Sequence, residues 1–257
     1  MSKIENIARF IVNEHKEKNK YVNLPNNLKP TNIEESYLAQ NVFQKKIGRG
    51  DIGGYKIALA SKVQQELCGI NHPIAGGIFK NEIYNSPTEI NINNFYGLGL
   101  EFELAMEISE DLTNEMGSFN SENVKKYISN IYASFEMIID RDADYNNIDP
   151  YSMAADNAWC GGIVLGNPIE NWLDINFENL RSILHWNNEK PENAKIMDSD
   201  PFVSLAWVIN LKLSQNIVIT KGSKIITGSV IKTRSPRIGD KIIYEIPNLS
   251  TVEIRVN

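Results

Sequence analysis

The sequence predicts an α+β fold, in which N-terminal helices pack on a mixed, mostly β body. Apolar residues recur at helical spacing near the start, whereas later segments alternate between apolar and polar residues. The chain closes with short β-branched runs separated by turns. Because no repeat, linker or low-complexity tract divides the 257 residues, we expect one domain over 1–257. Its helical part covers 1–50 and its β-rich core covers 51–257.

The first fifty residues carry the helical pattern. Apolar residues at helical spacing predict a helix over 2–20, with Ser2 as a cap; these are Ile4, Ile7, Ala8, Ile11 and Val12. A loop with two prolines follows. Thr31 and Glu34 have the spacing of a capping box, which predicts a second helix from there to about Lys46.

The central part of the chain contains segments with helical spacing and segments that alternate like strands. We expect a short strand from Tyr55 to Leu59 and a helix from Lys62 to Leu67. HPIAGGIF, residues 72–79, is predicted as a glycine-rich loop. Residues 97–108 alternate as a strand, and 121–134 have the spacing of a helix.

The second half is predicted to be richer in strands. DADYNNIDPYSM is typical of a loop, and ADNAWCGGIVLG leads into a strand. DPFVSLAWVINLKL, residues 200–213, predicts a helix. The segments SKIITGSV, DKIIYEI and TVEIRV then predict the terminal strands.

Composition excludes several kinds of partner. The formal net charge of −6 offers no attraction for nucleic acid or an anionic membrane. No apolar run is long enough to span a bilayer, and the first twenty residues lack the apolar core of a signal peptide. Cys68 and Cys160 form neither a disulfide framework nor a metal motif. We therefore expect a cytoplasmic protein with free thiols.

Glu101 and Glu103 stand one residue apart in the otherwise apolar GLEFELAMEI. In a strand they share one face, about 6–7 Å apart. One interpretation is an edge strand with a solvated acidic face. The other is a hard divalent cation held between the two carboxylates, because oxygen ligands favour Mg²⁺ or Mn²⁺ over Zn²⁺. Glu107 lies about 13 Å further along the strand and outside such a site.

Two further charged residues stand in apolar runs. Glu136 in FEMIID offers a third carboxylate, and burying it is costly unless it is paired or bound to a metal. Lys56 in GYKIALAS is either an active-site lysine or a surface lysine whose stem lies on apolar neighbours.

Seven segments occur in one order that resembles a known family. They are GYKIALASKVQQELCGINHPIAGGIF, LEFELAMEI, FEMIIDR, ADNAWCGG, NNE, KIITGSV and GDKIIYEI. Over about residues 30–257 this order resembles the 2-oxopent-4-enoate hydratase / 4-oxalocrotonate decarboxylase family of the fumarylacetoacetate hydrolase superfamily. The resemblance implies that 1–257 is a single catalytic domain, and that its β-rich metal-binding core is of the fumarylacetoacetate hydrolase C-terminal type.

The resemblance also implies roles for individual residues. Glu101, Glu103 and Glu136 match the family's metal ligands, for Mg²⁺ or Mn²⁺. Lys56 and Ser61 match its G-x-K-[IM]-G-L-[TA]-S pattern and are the expected catalytic residues. The expected substrate-binding residues are Ile74, Asp156, Asn157, Trp159, Thr227 and Gly228. The implied partners are a small 2-oxo acid and further copies of the chain, with a related subunit as an additional partner.

The departures from the family pattern bear on the reaction. Hydratases of the family typically carry an acidic residue where this chain has Ile74, and an isoleucine cannot activate water. Trp159 stands at a usually small position, and Asp200 replaces a histidine but could instead cap a helix. We therefore favour decarboxylation of a 4-oxalocrotonate-type acid over hydration of a 2-hydroxydienoate. Lys232 and Arg234 could hold a distal carboxylate, or are surface charges.

Two other classes of function stay open at this point. A carbon–carbon hydrolase of the same superfamily would need a water-activating acid–histidine pair, and no histidine stands near the motifs: His15, His72 and His185 are interpreted as surface or structural residues. A non-catalytic subunit of a hydratase–decarboxylase complex would be compatible with the changes at Ile74 and Trp159.

Overall fold

The computed structural model describes residues 2–257 and contains five α-helices and twelve strands. The helices are α1 Lys3–Lys16, α2 Ile33–Lys46, α3 Lys62–Leu67, α4 Pro150–Ala155 and α5 Pro201–Ser214. The strands are β1 Ile52–Ala58, β2 Ile74–Phe79, β3 Ile83–Asn85, β4 Thr88–Ile90, β5 Leu98–Ile108, β6 Ile128–Ile139, β7 Cys160–Pro168, β8 Arg181–Trp186, β9 Glu192–Lys195, β10 Lys224–Ile226, β11 Lys241–Ile246 and β12 Ser250–Val256. Within 2–257, no helix combines the length and apolar character needed to cross a membrane.

The strands form two sheets. Seven of them lie in the order β2-β1-β10-β5-β6-β7-β3, and five in the order β4-β12-β11-β8-β9. The larger sheet mixes parallel and antiparallel pairs. The predicted α+β class is thus confirmed.

The main core lies on one face of β5 and joins the two sheets. Leu100, Phe102 and Leu104 are buried and belong to the same apolar cluster as Tyr244 of β11. The rings of Phe102 and Tyr244 lie 5.8 Å apart, measured between centroids. This face is apolar because alternate residues of a strand point the same way, which leaves the opposite face of β5 to its glutamates.

The N-terminal helices follow their local sequence signals closely. The hydroxyl of Ser2 accepts from the backbone N–H of Glu5, whose carboxylate accepts from Ser2 N–H in return. The buried face of α1 packs with α2 and Ala155 in one apolar cluster. The predicted Thr31 capping box is wrong by one residue, because Asn32 is the N-cap of α2 and its side chain accepts from Glu35 N–H.

Two predicted elements are wrong in type. Residues 121–134 are not a helix, because a short 3₁₀ turn over Asn123–Tyr127 leads directly into β6. Residues 74–79 of HPIAGGIF are not loop but strand β2, all of it buried. Both segments pair antiparallel with the preceding strand of the chain, and these pairings override the local pattern.

The edge-strand interpretation of the glutamate pair is also wrong. β5 is the middle strand of the seven, hydrogen-bonded to β10 on one side and to β6 on the other. The charged side chains of its second face therefore lie within the body of the protein instead of at an open edge.

Smaller differences concern boundaries. The predicted strand at Tyr55–Leu59 begins earlier, at Ile52. The loop over 142–153 ends in α4, and Asp149 caps that helix. Asp200 occupies the N-cap position of α5, but its side chain makes no capping hydrogen bond.

Candidate metal centre

The register of the large sheet brings four charged residues to one face. Glu136 of β6 lies directly opposite Glu101 of β5, and Glu103 is two residues further along the same face. On the other side, Lys224 of β10 pairs with both Glu107 of β5 and Gly54 of β1. Lys56, two residues after Gly54, therefore points to the same side as the glutamates.

The three carboxylates converge. One oxygen from each of Glu101, Glu103 and Glu136 can be chosen so that all three lie within 4.8 Å of one another. Glu103 and Glu136 are fully buried, while Glu101 is partly exposed. The cluster therefore opens to the outside on the Glu101 side.

Two oxygens of this cluster lack partners. Glu103 Oε1 and Glu136 Oε2 are buried without a hydrogen bond from any described residue. Leaving a buried polar group unpaired costs about 1–3 kcal/mol, and more when it is charged. Three carboxylates with free inward oxygens are the ligand set that a hard divalent cation prefers, so the residues present fit a divalent metal ion.

Lys56 lies beside the cluster. Its Nζ contacts Glu136 Oε1 at 2.8 Å and donates to the backbone oxygen of Ala158 at 3.2 Å. An ammonium group has three N–H donors, so one remains for a bound molecule. Lys56 is 1% exposed, which excludes the surface interpretation.

Burial and mutual repulsion raise the pKa values of the buried glutamates. Burial raises the pKa of Glu103 well above its usual value, and repulsion from Glu136 and Glu101 raises it further. Burial also raises the pKa of Glu136, to about 8, although Lys56 opposes the shift. Burial alone would lower the pKa of Lys56, but Glu136 and Glu101 raise it more, so that the net shift is upward. Lys56 therefore holds its proton at neutral pH.

These shifts predict how the stability of the metal-free protein depends on pH. Between about pH 5 and 8 the folded state holds a proton on Glu136 that the unfolded state has released. The free energy of unfolding should therefore fall as pH rises, by on the order of 1 kcal/mol per pH unit. Urea unfolding in a chelator at several pH values measures this, and Glu136→Gln should flatten the slope. A profile that rises across this window would contradict the assignment.

The two residues that follow β10, Thr227 and Gly228, contact β5 beside the glutamate cluster. Thr227 is buried and its hydroxyl donates to the backbone oxygen of Leu104. The backbone N–H of Gly228 donates to Glu103 Oε2 at 2.6 Å. Gly228 has a φ of +102°, a region that favours glycine. Both predicted substrate-binding residues thus lie at the cluster, where their polar groups contact β5.

A left-handed turn holds the carbonyl that Lys56 contacts. Asn157, Ala158 and Trp159 all have positive φ, between 49° and 58°. The side chain of Asn157 secures the turn by accepting from Gly77 N–H and donating to Gly77 O. The amide of Asn157 is therefore used to position the turn.

Asp156 at the start of this turn is also engaged. It is buried against His15 Nε2 at 2.6 Å and Arg141 Nη2 at 2.8 Å. Burial alone would raise the pKa of Asp156, but His15 and Arg141 lower it below its usual value. The sequence missed this cluster: His15 of α1 does lie beside a motif residue, 141 positions away in the chain.

An apolar wall stands next to Lys56. Ile74 lies opposite Ala58 on the strand pair β1–β2, two residues from Lys56 on the same face. Ile74 is fully buried and shares an apolar cluster with Trp159 and Tyr21. Tyr145, which is 60% exposed, packs edge-on against Trp159 at 5.8 Å between ring centroids. The side chain at position 74, where hydratases of the resembled family carry an acid, is thus part of a buried apolar cluster beside Lys56.

The other predicted residues lie further out. Ser61 is exposed and caps α3, accepting from Gln64 N–H. Arg234 already pairs with Glu189 and Glu192 and lies 4.1 Å from the ring centroid of Trp186. Lys232 is exposed. The guanidinium of Arg234 is therefore neutralised within the protein.

Comparison with known sequences finds enzymes of one kind. A 2-oxo-hept-4-ene-1,7-dioate hydratase from Escherichia coli is 26% identical over 238 residues, covering 87% of this chain and 86% of the hydratase. A 2-keto-4-pentenoate hydratase from Paraburkholderia xenovorans (strain LB400) is 28% identical over 138 residues, covering 53% of this chain and 50% of that protein. No family model matches the chain.

Comparison with solved structures finds the same overall fold. A 4-oxalocrotonate decarboxylase from Pseudomonas putida G7, complexed with magnesium and adipate, superimposes with a TM-score of 0.88. The match covers 99% of this chain and 97% of the decarboxylase, at 21% sequence identity.

Proposed function

We propose that this chain, a relative of the 2-oxopent-4-enoate hydratase / 4-oxalocrotonate decarboxylase family, is a divalent-metal-dependent lyase that acts on a 2-oxo or 2-hydroxydienoate acid. The observation that carries the proposal is the convergence of Glu101, Glu103 and Glu136 beside the buried Lys56. The carboxylates would hold Mg²⁺ or Mn²⁺, because all three are hard oxygen ligands. The substrate is a small molecule, and of the two lyase reactions we favour decarboxylation over hydration.

The chemistry divides between the ion and the protein. When bound, a divalent cation supplies a Lewis acid that stabilises negative charge on the oxygens of a 2-oxo acid. Lys56 keeps its proton and is oriented by Glu136 and the Ala158 carbonyl, so its remaining N–H can donate to a substrate oxygen that gains charge. Lys56 is therefore proposed to act as an acid or charge stabiliser. A role of Lys56 as base would instead require a lowered pKa, and the net shift of its pKa is upward.

The apolar wall supports decarboxylation over hydration. Loss of CO₂ from a distal carboxylate needs no group that activates water. Ile74 and Trp159 are buried, and neither can take a proton from water. An apolar surface beside the reacting carbons also keeps water away from them. We therefore place decarboxylation of a 2-oxo-dienedioate first and hydration of a 2-hydroxypentadienoate second.

A paired assay with Mg²⁺ or Mn²⁺ tests the function. CO₂ release from a 2-oxo-dienedioate and loss of the ultraviolet absorbance of 2-hydroxypentadienoate are followed for the wild type and for Glu103→Gln. We expect metal-dependent CO₂ release that a chelator abolishes and the variant lacks. Glu107→Gln on the same strand face serves as the matched control and should retain activity.

The other outcomes separate the alternatives. Loss of the dienoate without CO₂ release would make the chain a hydratase and show that Ile74 does not prevent hydration. Turnover of neither substrate, with metal bound, would point to another 2-oxo acid or to a non-catalytic subunit. Absence of metal binding would refute the lyase proposal.

A hydrolase is less well supported. The pair of His15 and Asp156 is the acid–histidine arrangement that such an enzyme would need, but Arg141 contacts both members. An aspartate neutralised by arginine is a weak partner for a catalytic histidine.

The assignments of a homo-oligomer, a related partner subunit and a cytoplasmic location stay predictions. Light scattering on the purified chain would measure the number of subunits in the oligomer.

A further inference from the structure

The segment 227–234, which we call the strap, continues β10 beyond its last strand residue and runs antiparallel along β5. Its contacts begin at Leu104, which accepts from the Thr227 hydroxyl. They end at Leu100, where backbone bonds to Arg234 run in both directions at 2.8 and 3.1 Å. In between, Val230 N–H donates to Phe102 O. The strap therefore covers the stretch of β5 that carries both glutamates.

The strap holds one carboxylate oxygen of Glu101 and one of Glu103. Gly228 N–H donates to Glu103 Oε2, and the Thr233 hydroxyl donates to Glu101 Oε1, each at 2.6 Å. The Thr233 bond is the one hydrogen bond to the Glu101 side chain among residues 2–257. The second oxygen of Glu103, Oε1, is buried and unpaired. The strap thus holds one oxygen of each of these two carboxylates and leaves the other oxygen without a hydrogen bond from residues 2–257.

The far end of the strap is anchored to the second sheet. Arg234 pairs with Glu192 at the start of β9 and with Glu189 in the preceding turn. Its guanidinium also lies over the ring of Trp186, the last residue of β8. The methyl of Thr233 approaches the backbone of Gly99, since a Cβ there would lie 3.0 Å from it. These contacts fix the position of the Thr233 hydroxyl.

We propose that Thr233 is a positioning residue, which sets the affinity of the metal centre by holding the carboxylate of Glu101 through its Oε1 oxygen. The inference rests on the proposed function, because it takes the three glutamates as metal ligands. Groups that hydrogen-bond to a metal ligand orient it, and their loss typically weakens metal binding by 10–100-fold. We expect Glu101 to depend most on such a bond, because it is partly exposed whereas Glu103 and Glu136 are buried.

Mn²⁺ binding by isothermal titration calorimetry tests the inference on the full chain. Thr233→Val keeps the methyl against Gly99 and removes only the hydroxyl, and we expect Mn²⁺ affinity to fall by about 10-fold or more. Thr233→Ser restores the hydroxyl and should bind within about threefold of the wild type. Thr31→Val is the matched control, since Thr31 donates to Glu35 at 3.1 Å on the surface, and it should bind Mn²⁺ unchanged.

The outcomes distinguish this inference from the proposed function. Tight Mn²⁺ binding by Thr233→Val, equal to that of the wild type, overturns the role of Thr233 and leaves the metal centre intact. A wild type that binds no Mn²⁺ overturns both. If Thr233→Val does not fold, Arg234→Met releases the strap at its anchored end, and it should weaken Mn²⁺ binding in the same direction. Unchanged binding by a folded Arg234→Met would then overturn the inference.

Discussion

Glu103→Gln is expected to abolish metal binding and activity while stabilising the metal-free protein. The glutamine keeps the acceptor for Gly228 N–H but removes a negative charge from a buried cluster of three carboxylates. We expect metal affinity to fall by at least about 100-fold and turnover by about 10³-fold, because a ligand and its charge are lost. In a chelator, the variant should melt a few degrees above the wild type, since the glutamine escapes both the cost of burying an ionisable group and the repulsion from Glu136 and Glu101.

The matched control for this prediction is Glu107→Gln. Glu107 lies on the same face of β5 but accepts from Tyr132 and Asn130 and pairs with Lys224. Although burial tends to raise the pKa of Glu107, these partners lower it overall, so its charge is stabilised in the folded state. Its loss should lower the melting temperature and leave metal binding unchanged. Calorimetry with and without metal measures both effects, and opposite signs in the two variants are the expected result. Equal metal binding by Glu103→Gln and the wild type would show that the ligand set is wrong.

Lys56→Met is expected to have the largest effect on stability. Methionine fills a similar volume but leaves Glu136 buried without a cation, and where Glu136 is ionised, breaking a buried pair costs about 3–5 kcal/mol. At pH 6 Glu136 already holds a proton in the wild type, so the loss should be larger at pH 8 than at pH 6. Turnover should fall by about 10²–10⁴-fold, because the remaining N–H of Lys56 is the proposed donor to the substrate.

Lys224→Met removes the cation of a comparable lysine–glutamate pair on the neighbouring strand. Its Nζ lies 3.1 Å from Glu107 Oε1, but both side chains are partly exposed, at 16% and 21%. Such pairs contribute at most about 1 kcal/mol to stability. The variant should therefore unfold at nearly the same urea concentration as the wild type and stay active. Urea unfolding at pH 6 and 8 measures the difference. If Lys56→Met and Lys224→Met lost similar free energies of unfolding, burial would not make the Lys56–Glu136 pair stronger than the Lys224–Glu107 pair.

Local signals predicted the elements that local interactions stabilise. α1 begins at the Ser2 capping box, and α5 follows the apolar run up to Ser214. β5 alternates over its full length, so its two faces could be assigned before any partner strand was known. The helix predicted over 121–134 failed because β6 takes its apolar residues into contact with β5 and β7. The strand state of such a segment depends on the strands beside it and not on its own local pattern.

The composition of the candidate centre was determined by the sequence itself: a glutamate pair with a period of two, a lone glutamate and a lone lysine in apolar runs, and an order of motifs that resembles a family. Its geometry was decided by the tertiary structure. Only the pairing of β5 with β6 places Glu136 opposite Glu101, and only the order of β1, β10 and β5 brings Lys56 to the same face. The strap and the pairing of His15 with Asp156 lie beyond sequence analysis for the same reason, because each joins residues more than a hundred positions apart.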